Sequence, residues 1–305
     1  MNVLSDIAAA SAIVTDRAGP AVVSIGRNAR GAGVVIAEGR VLTNAHNLRD
    51  RTTTVTFVDG RSEQGTVAGL DVDGDLAVLT VDTSGVIPLE WPQDAPVLRP
   101  GTPVFALANA GGRGLRATFG TVSAVNQTFR GPRGRRIAGA VEHTAPLGRG
   151  SSGGPTLDIE GRLIGINTNR LGDGFYLAIP ADSDLRARVD ALGRGESPTR
   201  LRLGVGLAPA RVANRLRRAV GLPERDGLLV QHVEEASPAD RAGLRQGDLL
   251  VEAAGRPLSR ADDLLDTLEG LEAEASLALG VVRGVEELSV SVRFGSQEGG
   301  AEGAM

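Results

Sequence analysis

The sequence predicts a mainly β first module, a barrel or sandwich, followed by a compact α+β second module. Three observations predict it. From Ala21 to Ile179, short β-type runs alternate with Gly, Asp and Asn turns. Glu196-Ser197-Pro198-Thr199 has linker composition, and beyond it helical and strand patterns interleave. Eight residues in all are Phe, Tyr or Trp, so the cores must be built from Val, Leu, Ile and Ala.

Taken in order, the chain opens on a helix that Ser5 can cap and that runs to about Arg17. Ile7, Ala10, Ile13 and Val14 recur there at helical spacing, and Gly19-Pro20 ends it. Strands follow at Ala21–Ile25, Gly33–Ile36, Val41–Thr43, Thr53–Val58, Gly65–Leu70 and Leu76–Val81. The series resumes at Pro103–Ala108, Ala117–Val125, Gly139–Thr144, Leu163–Thr168 and Phe175–Ile179. A helix over Asp182–Leu192 is stopped by Gly193-Arg194-Gly195.

The second module reads as a strand at Leu203–Leu207, a helix at Ala210–Val220 and a strand at Gly227–Val233. A short helix at Pro238–Ala242 and a strand at Asp248–Ala253 come next. Ser259 can cap a helix over Ala261–Leu268, and strands close the module at Ala275–Val282 and Glu287–Phe294. The chain therefore divides into an N-terminal helical segment (1–19), a first domain (20–193), a linker (194–200) and a second domain (201–294). The remaining tail, 295–305, holds Gly, Glu and Ala without apolar pattern and is expected to be disordered.

Composition removes several function classes. There is no cysteine, hence no disulfide framework, zinc-thiolate site or cysteine nucleophile. A net charge of −4 argues against a general nucleic-acid binder. The basic residues are all arginine; 20 stand against 20 acids up to Pro198, and 13 against 17 beyond it. No apolar run is long enough to span a bilayer. Met1-Asn2-Val3-Leu4-Ser5-Asp6 carries an acid where a secretory leader would carry a base, so a cytoplasmic location is expected, and an extracytoplasmic one if the N-terminus is trimmed.

Three segments hold residues suited to chemistry. Gly150-Ser151-Ser152-Gly153-Gly154-Pro155 places two serines among glycines between apolar runs. A serine held in such a turn can attack a carbonyl, and neighbouring backbone N–H groups can stabilise the oxyanion that forms. Taken alone, the same residues make an ordinary surface turn. His46 follows the strand Val41–Thr43, and Asp75 heads the apolar run Leu76-Ala77-Val78-Leu79. Asp71-Val72-Asp73-Gly74-Asp75 lacks the glycine and glutamate positions of a calcium loop, and Gly31-Ala32-Gly33 runs on into a strand where a dinucleotide fingerprint needs a helix. Neither a metal nor a cofactor is expected. His46, Asp75 and Ser152 thus occur in the order His, Asp, Ser along one β-rich region.

Thr43-Asn44-Ala45-His46, Asp75-Leu76-Ala77-Val78-Leu79 and the Ser152 segment together resemble the HtrA/Deg family of serine proteases. Ala236-Ser237-Pro238-Ala239 and Ala242-Gly243-Leu244-Arg245-Gln246-Gly247-Asp248 resemble a PDZ domain. The resemblance implies a chymotrypsin-like double β-barrel with the site between the barrels. Ser152 would be the nucleophile, His46 the base and then acid, and Asp75 the orienting carboxylate. Gly150 and Ser152 N–H groups would form the oxyanion hole. Pro146 and Tyr176 would shape the pocket for the residue before the scissile bond, and Leu203-Gly204-Val205-Gly206 would receive a peptide C-terminus. Arg130-Gly131-Pro132-Arg133-Gly134-Arg135-Arg136 falls where the family has a sensor loop. The partners implied are unfolded proteins or peptides as substrates, C-terminal peptides at the PDZ domain, and further copies in a homotrimer, although Leu4–Val14 lacks the aromatics that usually help form one. A proteolytically weak, chaperone-like peptide binder is the alternative. Three positions depart from the family pattern: Ser151 stands where Asn is usual, Gly148-Arg149 where Asn-Pro is usual, and Asn47 where a β-branched residue is usual.

Overall fold

The computed structural model describes residues 2–27, 30–92, 97–131, 136–172, 174–197, 201–269, 271 and 274–294. The tail expected to be disordered, the central residues 132–135 of the arginine-rich loop and linker residues 198–200 lie outside them. The chain divides into two compact units, Met1–Pro198 and Thr199–Met305.

The first unit begins with helix α1, Val3–Ala18. Its cap is Asn2, whose Oδ1 accepts the Leu4 N–H at 3.2 Å, and not Ser5. Asn is as good a cap as Ser and stands immediately before the first helical residue, so the helix starts earlier than the spacing of Ile7 and Ala10 indicates. Val14 and Ala18 are the residues it buries.

Six strands then close a barrel: β1 Val22–Ile25, β2 Gly31–Ala37, β3 Arg40–Thr43, β4 Thr52–Thr56, β5 Ser62–Asp71 and β6 Leu76–Thr80. Their order around the barrel is β1-β2-β3-β6-β5-β4. A second barrel is made by β7 Pro103–Ala108, β8 Arg116–Arg130, β9 Arg136–His143, β10 Pro155–Leu157, β11 Leu163–Gly172 and β12 Phe175–Pro180. Read in chain order, it repeats the same arrangement, β7-β8-β9-β12-β11-β10. Closure leaves neither sheet with an open edge. Val22, Ile25, Val34, Leu42, Leu79, Phe105, Leu157 and Ile166 belong to the core, each no more than 2% exposed. Helix α2, Ser183–Gly193, is capped by Asp182 and adds Leu185, Val189 and Leu192 to it.

Two of the differences from the expected strands have local reasons. β10 follows Gly153-Gly154 and has three residues, so it reads as part of the turn. β8 continues to Arg130 through register shifts between Ala124 and Phe129, with Asn126 at φ 56°. Such a bulge sets polar residues where alternation would place apolar ones, which hides the strand's second half.

The second unit is a sheet of β13 Val205–Ala208, β14 Leu228–Val233, β15 Leu249–Ala253, β17 Ser276–Arg283 and β18 Glu286–Arg293. The two-residue strand β16, Arg256–Pro257, pairs with β15. Helices α3 Ala210–Ala219, α4 Pro238–Arg241 and α5 Ala261–Glu269 complete it. Leu203, Leu228, Val230, Leu250, Leu264, Leu268, Leu279 and Val292 share its core. At the start of α5 it is Asp263 whose Oδ2 accepts the N–H groups of Ser259 and Arg260, at 2.8 and 2.7 Å.

Candidate active site

The histidine is placed by the end of β3. Beyond Thr43 the chain makes a single 3₁₀ turn, Ala45–Asn47, that carries His46 outward while Ala45 and Asn47 stay buried. Asn44 anchors the turn, its Nδ2 donating to the Asp75 carbonyl at 2.9 Å. Asp75 sits just before β6 in the left-handed region, φ 55°, where aspartate is tolerated better than most residues. That turn aims its carboxylate at the imidazole. His46 Nδ1 lies 2.9 Å from both Asp75 oxygens, and the His46 backbone N–H donates to Oδ1 at 3.1 Å. A carboxylate accepts only, so Nδ1 carries the hydrogen and Nε2 keeps its lone pair. The Asp75 side chain is 1% exposed and the His46 side chain 33%, so a protected carboxylate holds a base that a substrate can reach.

Ser152 lies in the loop between β9 and β10. Its carbonyl accepts the Ala32 N–H at 2.8 Å and Asn47 Nδ2 at 2.9 Å. Gly153 follows at φ +91°, and a Cβ there would stand 2.2 Å from the Ala32 carbonyl, so only glycine fits. Asn167 fastens the rest of the loop. Its carbonyl accepts the Gly153 N–H at 2.7 Å, and its own N–H and Nδ2 both donate to the Gly154 carbonyl. Asn167 Oδ1 accepts in turn from Thr156 Oγ1 at 2.7 Å and from His143 Nε2 at 2.9 Å.

Ser152 Oγ donates to the Thr168 carbonyl at 3.0 Å; among the described residues no hydrogen bond joins it to His46. The Thr168 hydroxyl donates to Asp75 Oδ2 at 2.7 Å. One residue therefore touches both the serine and the aspartate. The N–H groups of Gly150 and Ser152 donate to no protein acceptor among the described residues, and Gly150 has φ +81°. Both donors remain available to a developing oxyanion.

The sequence marks His46, Asp75, Ser152 and Gly150, and leaves unmarked Thr168, Asn167 and the roles of Asn47 and His143. A signal for two of them was present: Asn167-Thr168 breaks the apolar run Leu163-Ile164-Gly165-Ile166, and both are buried at 0% and 6%. Polar residues in a core strand must find partners, and here the partners are the loop and Asp75. Of the expected pocket residues, Pro146 is exposed and Tyr176 is buried in β12. The Tyr176 ring stacks on His143 with centroids 5.9 Å apart.

Burial holds the His143 imidazole below its ordinary value, with the Asn167 hydrogen bond opposing in part. The unfolded chain takes this proton first. Stability of the first unit should therefore be full above pH about 6.5 and fall as the pH drops through the depressed folded-state value. Urea midpoints at pH 7.5 and 5.5 measure it. His143→Gln, which keeps an N–H for Asn167, should flatten that dependence.

In the second unit, Gly204 has φ +78°, and a Cβ would stand 2.2 Å from the Ser237 Cβ. Its carbonyl accepts the Glu234 N–H at 2.8 Å, while the Leu203 carbonyl accepts from Ala239 at 2.9 Å. These bonds fix the loop ahead of β13. Among the described residues β13 pairs only with β14, and Val205, Gly206 and Leu207 are half-buried along it.

Comparison with known proteins agrees with this architecture. Residues 31–166 match the trypsin-like peptidase domain family and residues 202–294 the PDZ domain family. The putative serine protease HhoA of Synechocystis sp. is 32% identical over 277 residues, covering 87% of this chain and 70% of the relative. A probable periplasmic serine endoprotease, DegP-like, of Rhizobium meliloti is 31% identical over 280 residues, covering 88% of this chain. The chain spans 53% of that relative's length. Among solved structures, the HtrA-type protease AlgW with decapeptide has a TM-score of 0.64 at 23% identity, over 93% of this chain and 97% of that one. The expected cytoplasmic location finds no support here, since several relatives are named periplasmic. Among the described residues no helix is long and apolar enough to cross a membrane. A double barrel of this topology, a His-Asp pair facing a serine loop, a PDZ unit after it and relatives of this similarity lead to one assignment: the chain belongs to the HtrA/Deg family of serine proteases.

Proposed function

We propose that this chain is an endopeptidase for unfolded polypeptides, with Ser152 as nucleophile, His46 as general base and then acid, and Asp75 as orienting carboxylate. The observation that carries this reading is the His46–Asp75 pair, which leaves Nε2 without a protein partner among the described residues and is linked through Thr168 to Ser152. Ser152 Oγ leaves the Thr168 carbonyl by a side-chain rotation and gives its proton to His46 Nε2 as it attacks the substrate carbonyl. Gly150 and Ser152 N–H groups receive the oxyanion, an interaction worth about 3 kcal/mol per donor in such sites. The imidazolium then protonates the leaving amine, and water repeats the sequence on the acyl-enzyme. A chaperone-like binder without proteolysis would leave this arrangement without a role. The test is a fluorophosphonate probe: it should label the native chain at Ser152 alone and fail on Ser152→Ala.

The residue before the scissile bond is assigned to a pocket shaped by Pro146 and Tyr176. It offers no counter-charge, which disfavours cleavage after Arg, and the phenol favours Ala or Val over Phe. Exposed Val3, Leu4 and Ile13 on α1 suit contacts between copies, as a homotrimer would require. An extracytoplasmic location fits the relatives named periplasmic.

The PDZ unit is assigned the free C-termini of peptides, received at Leu203-Gly204-Val205-Gly206. An extended peptide can add to the outer edge of β13, and its carboxylate can take the backbone N–H groups of the preceding loop. The AlgW neighbour was itself solved with a decapeptide. A peptide ending in Val-COOH should bind this unit at least about tenfold more tightly than its amide. Equal affinity by fluorescence anisotropy would remove the carboxylate from the reading.

A further inference from the structure

Beside the catalytic loop the first unit opens a cavity of about 990 Å³, and its lining is unusual for this chain. Arg27, Arg30, Arg49 and Arg149 all face it, with Asp50 as the one carboxylate and the threonine strand β4 beside them. Several arginines elsewhere are spent on carboxylates: Arg188 on Asp71, Arg194 on Glu196, Arg283 on Asp248. Among the described residues none of the four cavity arginines makes an ion pair or a side-chain hydrogen bond. Arg30 Nε is wholly buried and has no acceptor among the described residues. A buried donor without a partner is costly, and a guanidinium fork presents its N–H groups in the geometry a carboxylate fills.

The position of the cavity says which part of a substrate would fill it. His46 must protonate the leaving amine, so the chain after the scissile bond runs past the imidazole. Asn47, Arg49 and Asp50, which follow His46 in the chain, line the cavity, and so does Gly150 of the oxyanion pair. Pro146 and Tyr176 are not among its lining residues. We propose that this cavity is the subsite for the leaving side of the substrate, and that it selects chains with Asp or Glu within the first three residues after the cleaved bond. The inference rests on the endopeptidase reading above.

The test uses internally quenched peptides with amidated C-termini, identical before the scissile bond and carrying Asp-Glu, Asn-Gln or Arg-Arg after it. The acidic peptide should be cleaved with a kcat/KM at least about tenfold above its amide counterpart, and the basic one slowest. Raising salt from 50 to 500 mM, two reagent settings spanning a Debye length of roughly 14 to 4 Å, should shrink that ratio severalfold in the native protein. The double variant Arg30→Gln/Arg49→Gln should bring it near unity, while Arg194→Gln, paired elsewhere, should keep it. Equal rates for the acidic and neutral peptides in the native protein would overturn the subsite while leaving the peptidase intact. Fluorophosphonate labelling tells the two failures apart: no labelling and no cleavage of any peptide would overturn both.

Discussion

Replacing Ser152 by alanine should lower kcat on an unfolded protein such as casein by roughly 10⁵- to 10⁶-fold, with KM nearly unchanged. The large effect follows from what the hydroxyl does. In the proposed mechanism it is the atom that forms the acyl-enzyme, and Ser151 beside it cannot substitute: it is buried, with its carbonyl holding the Gly154 N–H at 3.1 Å. KM should hold because alanine leaves the Ser152 backbone bonds to Ala32 and Asn47 in place, and these keep the loop where substrate meets it. His46→Ala should cost a similar factor, and the double variant little more, because the two side chains act as one unit. The loop's fold can be checked separately by thermal melting. Native-like casein cleavage by Ser152→Ala would remove the nucleophile assignment outright.

Asp75→Asn should cost about 10⁴-fold in kcat, a loss that arises from hydrogen-bond direction and not from shape. The carboxylate receives the His46 N–H, the Nδ1–H and the Thr168 hydroxyl. The His46 backbone N–H needs an acceptor at the Oδ1 position, so an asparagine sets its oxygen there and its NH₂ at the Oδ2 position, 2.9 Å from Nδ1, where the Thr168 hydroxyl can turn to accept. An NH₂ at that distance donates to Nδ1 and favours the tautomer with its hydrogen on Nε2, the wrong nitrogen for a base. Fluorophosphonate labelling rate is the measurement, since it reports serine activation without substrate binding. A labelling rate within tenfold of the native one would show that Asp75 does not set the tautomer.

His46, Asp75 and Ser152 were legible because each stands at the end of a strand or in a turn, where a polar residue next to an apolar run is conspicuous. Their supporting residues were not. Thr168 on β11 of the second barrel meets Asp75 ahead of β6 of the first, and no local pattern announces a bond between residues 93 positions apart. Asn47 illustrates the limit from the other side. In the sequence it is a departure from the family, and in the fold it is a buried side chain whose Nδ2 reaches Thr43 Oγ1 at 3.0 Å as well as the Ser152 carbonyl. The alternation that predicts strands also broke down where β8 bulges and where β10 shrinks to three residues. The cavity arginines escaped notice because they come from separate turns and loops, so no charged run marks them.

The Ala32 amide has a consequence of its own. β3 stops pairing with β2 at the Gly33–Thr43 register, and one residue earlier the Ala32 N–H is taken by the Ser152 carbonyl in place of a strand. This proton is therefore a built-in reporter of loop order within the first barrel. In hydrogen exchange it should trade with solvent at the rate at which the serine loop lifts away, faster than the amides of Val34 and Val35 on the same strand. An acyl-enzyme or a covalent phosphonate on Ser152 should slow it, so the poise of the catalytic loop can be timed without following catalysis at all.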